Sequence, residues 1–550
     1  MKKVFSVFSL LLLFSFFLAS CGGSSTNDSA DTETGADTGS EADTDSGSTD
    51  TQPADTGSEC GNQTTEVGEA CDSDAKECSE IDPSYTGGYA ICKTDCSGYD
   101  FSGCNGGQNP DPADSGDSGD TTPGGDTDSD TTDTTPGPSG DVEFERFVAD
   151  DNPNKPAFVT VDDLDNDGHP DMIVAQYGPL LSGNYDIYWG TGKLDQWTKE
   201  TLNIGGDNGI SFPHPVKVAD VNGDGIKDIV SPSGFLACVM NCGNIFWLEG
   251  TGERNKWTKH EIVKNNDHFF FDVSLVDVDG DGINDILTNA SQKKSGLTTT
   301  LDERLMWFKG TDTADKFETT ARVISSGNGG PFPRFVDLNG DGKKDIALAQ
   351  YFNKDTSANG SFIWFEQTDD IEKWTKHIID NESGESFMLE FIDNLYGDGV
   401  RRAVGVNHVN TTDNPNGPKE GVFIFDIPED PTQPWPKKNI ATDIQSRKSP
   451  LTGPQAAPGL FGYGDITGNG LIDLVVSGDG DSRVFWFEQN PAGTFTQHTL
   501  DGVAGADINS AGSFGQAGGM QIVDLDGDGT NEIIVTLYED NKLYIYKIKK

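Results

Sequence analysis

The chain is predicted to be all-β, with residues 141–550 closed into a seven-bladed β-propeller, and three observations predict it. An apolar strand, an acidic loop of the form Asp-x-Asp/Asn-x-Asp-Gly-x-x-Asp and a second apolar strand recur every 56 to 72 residues, the copies beginning at Asp163, Asp220, Asp277, Asp337, Asp393, Asp465 and Asp524. Each copy runs on into an aromatic strand, such as Phe246-Trp247 or Val484-Phe485-Trp486-Phe487, and most then into a fourth phrase such as Trp257-Thr-Lys-His-Glu-Ile262 or Trp374-Thr-Lys-His-Ile-Ile379. Four short strands per repeat without helical periodicity is the pattern of a propeller blade. The last copy ends at Lys550 without its fourth phrase, and Phe144-Glu-Arg-Phe-Val148, ahead of the first copy, matches the missing one. The chain is therefore expected to close its ring with its own beginning, which leaves no free sheet edge to aggregate.

The segments before the propeller read differently. Met1-Lys2-Lys3 followed by an apolar run from Val4 to Leu18 has the form of a signal peptide, residues 1–20, too short to span a bilayer comfortably. Its end, Leu18-Ala19-Ser20-Cys21, resembles the bacterial lipobox. That resemblance implies a diacylglycerol on Cys21, hence an exported protein held to a membrane by acyl chains, on the outer membrane or cell surface. Residues 21–58 and 105–140 consist almost entirely of Asp, Thr, Ser, Gly, Glu and Pro, too polar to bury a core, and are expected to be a disordered, self-repelling stalk.

Between the linkers, residues 59–104 carry Cys60, Cys71, Cys78, Cys92, Cys96 and Cys104 with few core-forming side chains. An even count in an exported segment points to three disulfides in place of a hydrophobic core, with fifteen pairings open. A zinc module is the alternative, but the segment has no histidine. Its stretch from Cys60 to Asp72 resembles the Cys-rich repeats of myxobacterial-type surface proteins. Cys238 and Cys242 are spaced to pin a loop tip by a further disulfide.

Charge narrows the partners. The whole chain carries −53, of which residues 22–140 hold −25 and residues 141–550 hold −30. Such a surface repels phosphate backbones, which argues against nucleic acid and for divalent cations.

The chemistry sits in the acidic loops. Asp163, Asp165, Asp167 and Asp171 stand at positions 1, 3, 5 and 9, with Gly168 at position 6 permitting the turn that brings position 9 around. Carboxylate-rich, oxygen-only ligation suits Ca²⁺. The other complete copies are Asp220, Asn222, Asp224 and Asp228; Asp277, Asp279, Asp281 and Asp285; Asp337, Asn339, Asp341 and Asp345; and Asp524, Asp526, Asp528 and Glu532. These five are the expected Ca²⁺ sites. The sixth loop, with Asp465, Asn469 and Asp473, offers fewer charges and should bind weakly. The fifth, from Asp393, has an extra residue and Arg402 near its closing position, and is expected to be empty. Position 12 continues a strand instead of supplying a bidentate Glu, which excludes an EF-hand. The pattern resembles the calcium hairpin of FG-GAP/VCBS propellers, including the head of integrin α-chains, and implies an adhesive or ligand-binding role.

The connections between strands two and three are long and dissimilar, as in Gly178–Tyr185, Gly234–Gly243, Ser291–Glu303, Phe352–Gly360 and His408–Gly421. Variable loops on a rigid scaffold are where recognition usually sits, so ligands, glycan or extracellular protein, are expected on the face away from the acidic loops. Three residues before each first aspartate stand Thr160, Lys217, Ser274, Arg334, Glu390, Gly462 and Gln521, a polar column that faces a central channel if strand one lines the axis. No nucleophile elbow, phosphate loop or HExxH occurs. The Trp-Phe-Glu and Trp-Thr-Lys-His phrases are also similar to those of aldos-2-ulose dehydratase and rhamnogalacturonan lyases. Three readings follow: a calcium-binding surface binding protein, a polysaccharide-processing lyase or dehydratase, and a structural surface-layer component.

Overall fold

The structure, a computed structural model, describes residues 142–549 apart from 178–181, 203–209, 235–242, 267, 294–300, 352–355, 450–452 and 504–516, together with four short strands before residue 106. Cys21, the signal segment, both linkers, Cys60, Cys71, Cys78, Cys96, Cys238 and Cys242 lie outside the described residues. Two compact units are present, one within Asn27–Gly137 and one holding Pro138–Lys550. In the small unit Gly87–Cys92 pairs antiparallel with Ala75–Glu77, Tyr99–Asp100 and Cys104–Asn105, so the cysteine-rich segment is built on a short β-sheet. Among the described residues no helix is long and apolar enough to cross a membrane.

The large unit is the expected seven-bladed propeller. Each blade is an antiparallel sheet whose strands follow in chain order, except for the fourth strand of blade 7, and blade 1 carries one extra short strand. Strand two is the most apolar and is wholly buried in most blades, as in Asp171–Tyr177, Asp228–Ser233 and Asp473–Ser477, whereas in blade 5 its first residue, Arg402, is half-buried. Such runs read as continuously hydrophobic because both faces of the strand are covered by neighbouring blades. Strand three brings the large rings: Trp189, Trp247, Trp307 and Trp364 are each at most 2% exposed.

The Trp-Thr-Lys-His phrase has a local physical reason. In blades 2 and 4 its histidine, and in blade 6 that of the variant Phe495-Thr-Gln-His498, stands directly opposite the tryptophan of strand three and stacks on it, with ring centroids 4.2 Å apart for Trp247–His260, 4.4 Å for Trp364–His377 and 4.6 Å for Trp486–His498. The same three imidazoles reach Glu249, Glu366 and Glu488 at 2.9, 3.0 and 3.1 Å.

Ring closure follows the sequence expectation. Phe144–Asp150 pairs with Lys542–Ile548 as the fourth strand of blade 7, with Arg146 opposite Tyr546. Phe144 packs edge-on against Trp486 of blade 6 at 5.2 Å, and Arg146 bonds Asp501 at 2.8 Å. The beginning of the domain is thereby tied to two blades from its end.

Candidate metal centres

The acidic loops join strands one and two, so all seven lie on one face of the disc. Position 1 organises the turn. Asp277 accepts the backbone N–H groups of Gly280 and Asp281 on Oδ1 at 2.8 and 3.1 Å and that of Gly282 on Oδ2 at 2.8 Å. Asp163, Asp220, Asp337, Asp465 and Asp524 bind the same stretch of their own loops. The turn needs left-handed backbone at position 4, where Gly280 has φ of +76°; in the first loop Asn166 fills that place at +58°, a conformation asparagine tolerates better than most residues.

Position 9 does more than face the loop centre. Asp285 is fully buried and accepts Val278 N–H at 2.8 Å and Gly310 N–H at 2.7 Å, one on each oxygen. Asp171, Asp228, Asp345 and Asp473 form the same clamp between the loop and the end of strand three. Burial pushes the carboxyls of Asp171, Asp285 and Asp473 up to about 6, against the pull of those N–H groups. Asp285→Ala should therefore cost about 2–5 kcal/mol in chelator, because two buried N–H groups lose their acceptors. Asp281→Ala, at the exposed loop tip, should cost under about 1 kcal/mol. Urea unfolding of both variants in EDTA checks this, and equal losses would refute the clamp.

Three loops gather three carboxylates each, with oxygens within 4.8 Å of one another: Asp163, Asp165 and Asp171; Asp277, Asp279 and Asp285; Asp524, Asp526 and Glu532. Asp279 Oδ1 is buried without a hydrogen-bond partner. An all-oxygen set with an unsatisfied buried oxygen and desolvated carboxyls fits a divalent cation such as Ca²⁺.

The end of strand three completes each site, and reading the loops alone misses it. In blades 3 and 7, where position 3 is Asp, a lysine faces it: Lys309 bonds Asp279 and reaches Asp281 at 2.5 Å, and Lys547 reaches Asp526, Asp528 and Glu532 at 2.6, 3.0 and 2.9 Å. In blade 1 that place is Trp189, and Arg254 of blade 2 lies over its ring and reaches across to Asp165 and Asp167 instead. In blades 2 and 4, where position 3 is Asn, the facing residue is acidic: Asn222 and Asn339 each donate to Glu249 and Glu366 at 3.0 Å. The signal was present in the sequence just after the aromatic-strand phrases, which continue with Lys309 and Lys547 in blades 3 and 7, where position 3 is Asp, and with Glu249 and Glu366 in blades 2 and 4, where it is Asn.

The fifth loop differs as its insertion implies. Asn394, not Asp393, caps Gly399, while Arg401 bonds Asp393 at 2.6 Å and Arg402 bonds Asp398 at 2.7 and 2.9 Å. Its carboxylates are neutralised within the loop. The sixth keeps the fold of the others: Asp465 caps Gly468 and Gly470, and Asn469 takes the position-5 role toward Leu471.

Residues 163–231 and 465–535 match the model of the FG-GAP-like repeat. No curated protein sequence matches the chain significantly. Among solved structures, the chain is similar to the soluble aldose sugar dehydrogenase of Escherichia coli, at 12% identity over 74% of this chain and 99% of that one, with a TM-score of 0.34. It is also similar to an auxiliary nutrient binding protein of Bacteroides thetaiotaomicron, at 9% identity over 73% and 100%, TM-score 0.33. A puromycin hydrolase matches at 11% identity over 72% of this chain and 54% of its own length, TM-score 0.39, so the chain spans about half of that protein. These likenesses are to propeller scaffolds.

Proposed function

We propose that this chain, a seven-bladed propeller carrying FG-GAP-like repeats, is a calcium-binding, lipid-anchored surface protein that presents the face away from its acidic loops to glycan or protein ligands. The observation that carries the reading is a polar cleft of about 470 Å³ on that face. It lies between the strand-two to strand-three connection of blade 5 and the link from blade 5 to blade 6, lined by Thr411, Lys419, Glu420, Asn439, Thr442 and Gln445 among others. Glu420, 9% exposed, is fixed by Ser446, whose N–H and Oγ donate at 2.9 and 2.7 Å, and by the Thr411 hydroxyl. The nearby Thr412 Oγ1 is buried without a partner. A pre-formed cleft of hydroxyls and amides around one carboxylate suits hydroxyl-rich or peptide ligands, not a hydrophobic one.

In this reading the acidic loops would hold Ca²⁺ through Asp163, Asp165 and Asp171 and their counterparts, and stiffen the hairpins that carry the disc. The lipid on Cys21 and the acidic stalk would hold the propeller off the membrane. Glycan-array and cell-adhesion assays with and without EDTA test it. Specific binding, weakened by Glu420→Gln, is expected, whereas turnover of acidic polysaccharides without stable binding would replace it by the lyase reading.

A further inference from the structure

The cleft between blades 5 and 6 holds one carboxylate that no cation touches. All three hydrogen bonds to Glu420 fall on Oε1, from the Ser446 N–H, the Ser446 hydroxyl and the Thr411 hydroxyl. Oε2 accepts none, and among the described residues Glu420 has no ion-pair partner. Unlike the buried, unpartnered hydroxyl of Thr412, Oε2 is open to solvent. A side chain only 9% exposed, fixed through one oxygen, thus offers the other to whatever fills a space of about 470 Å³.

The charges beside it are already paired elsewhere. Asp443, next to Thr442 of the lining, and Asp481, which accepts the Gln445 N–H at 2.9 Å, share Arg483 at 2.8 and 2.7 Å. Lys419, the lining residue with a positive charge, gives its ammonium to the Pro415 carbonyl at 2.5 Å. Glu420 is the acid of this cleft that no contact neutralises.

An anionic ligand would meet a carboxylate oxygen that repels it, and a neutral one would leave the charge unpaired. A primary ammonium has three N–H donors and no acceptor, and its bond to a carboxylate is roughly twice as strong as a bond between neutral groups. The rest of the lining, Ala441 and Ile444 apart, is polar in both senses. Asn439 uses its Oδ1 on the N–H groups of Ala441 and Val422, at 3.0 and 3.3 Å, which leaves its amide N–H groups to donate. Gln445 uses its Nε2 on Asp443 at 2.7 Å, which leaves its Oε1 to accept. Hydroxyl groups, which donate and accept, match such a lining, whereas the aliphatic stem of a lysine does not.

We propose, on the reading of this cleft as the ligand site, that it takes a hexosamine with a free amine, whose ammonium donates to Glu420 Oε2 and whose hydroxyls meet Asn439, Thr442 and Gln445. The free amine is the distinguishing group. Acetylation removes its charge, and an acidic sugar brings the wrong sign. Glu420 then selects among glycans, while the threonine, asparagine and glutamine side chains serve any sugar.

The test is calorimetric and ligand-observed NMR titration of the full chain with glucosamine, glucose, N-acetylglucosamine and Nα-acetyl-lysine amide, at a pH where the amines are protonated and with saturating Ca²⁺ to occupy the acidic loops. Glucosamine should bind one-to-one and about tenfold or more tighter than glucose or N-acetylglucosamine, as a charge-assisted bond implies. Glu420→Gln, which keeps an acceptor for Ser446 and Thr411, should erase that preference, and Glu372→Gln, the same change at an exposed acid, should leave it. Equal binding of the three sugars, weakened alike by Glu420→Gln, would overturn the proposal and leave the cleft as a ligand site. Binding of no sugar, or binding indifferent to Glu420→Gln, would overturn both. Binding of the lysine amide in place of glucosamine would overturn the hexosamine and assign the cleft to a basic peptide.

Discussion

Deleting residues 142–150 should abolish the cooperative unfolding of the propeller and send it into aggregates. That segment supplies the fourth strand of blade 7, and without it Lys542–Ile548 becomes an open strand edge. The loss includes the ladder along Phe144–Asp150, the packing of Phe144 on Trp486, the inward faces of Phe147 and Ala149, and the Arg146–Asp501 bond. At about 1 kcal/mol per lost ladder bond and 1–2 per partly buried ring, the total is on the order of 5 kcal/mol or more. A domain's whole margin is about 5–15 kcal/mol. A chain beginning at residue 142 keeps the strand and should melt like the parent. Calorimetry and size-exclusion chromatography of the two truncations decide the matter, and a monomeric, cooperatively melting deletion would show that the ring is closed by something else.

The second large effect is on calcium. Chelation should lower the melting temperature, and restoring about 1 mM Ca²⁺ should raise stability by about 1.4 kcal/mol per site, roughly 7 for five, if each binds near 10⁻⁴ M. The five loops should not respond alike. In loops 1, 3 and 7, Arg254, Lys309 and Lys547 rest on the carboxylates a cation would take, so binding there must displace them. In loops 2 and 4, Glu249 and Glu366 bring a further carboxylate to the Asn of position 3. Lys309→Met should therefore tighten calcium binding at loop 3, where it removes a competing charge, and Glu366→Gln should weaken it at loop 4. Titration calorimetry on both variants is the measurement. A melting temperature indifferent to EDTA would mean that the backbone clamps alone hold the loops.

Much of this was legible in the sequence because a propeller blade is a local object. The acidic loop closes within nine residues, so its position-1 and position-9 acids are found by spacing, and the Gly of position 6 by the turn it permits. The stacked Trp-His pairs lie about a dozen residues apart on adjacent strands, and the ring-closing strand shows itself as a phrase missing at one end and present at the other. The sequence by itself therefore determined the all-β class, the seven repeats, the closure of the ring and the acids of each loop.

The tertiary structure decided what depends on contacts between blades. Arg254 meets Asp165 across 89 residues, and Arg334 meets Glu390 across 56. Asp272 becomes a buried acid within electrostatic reach of Lys217 and Arg334 only after the ring has closed, and spacing along one strand carries no trace of that. The cleft at Glu420 likewise depends on two connections that only blade packing brings together. Local hydrogen bonds and side-chain periodicity are written in short segments, whereas the axis and the seams between blades are products of closure, and the charges that meet there are set by geometry.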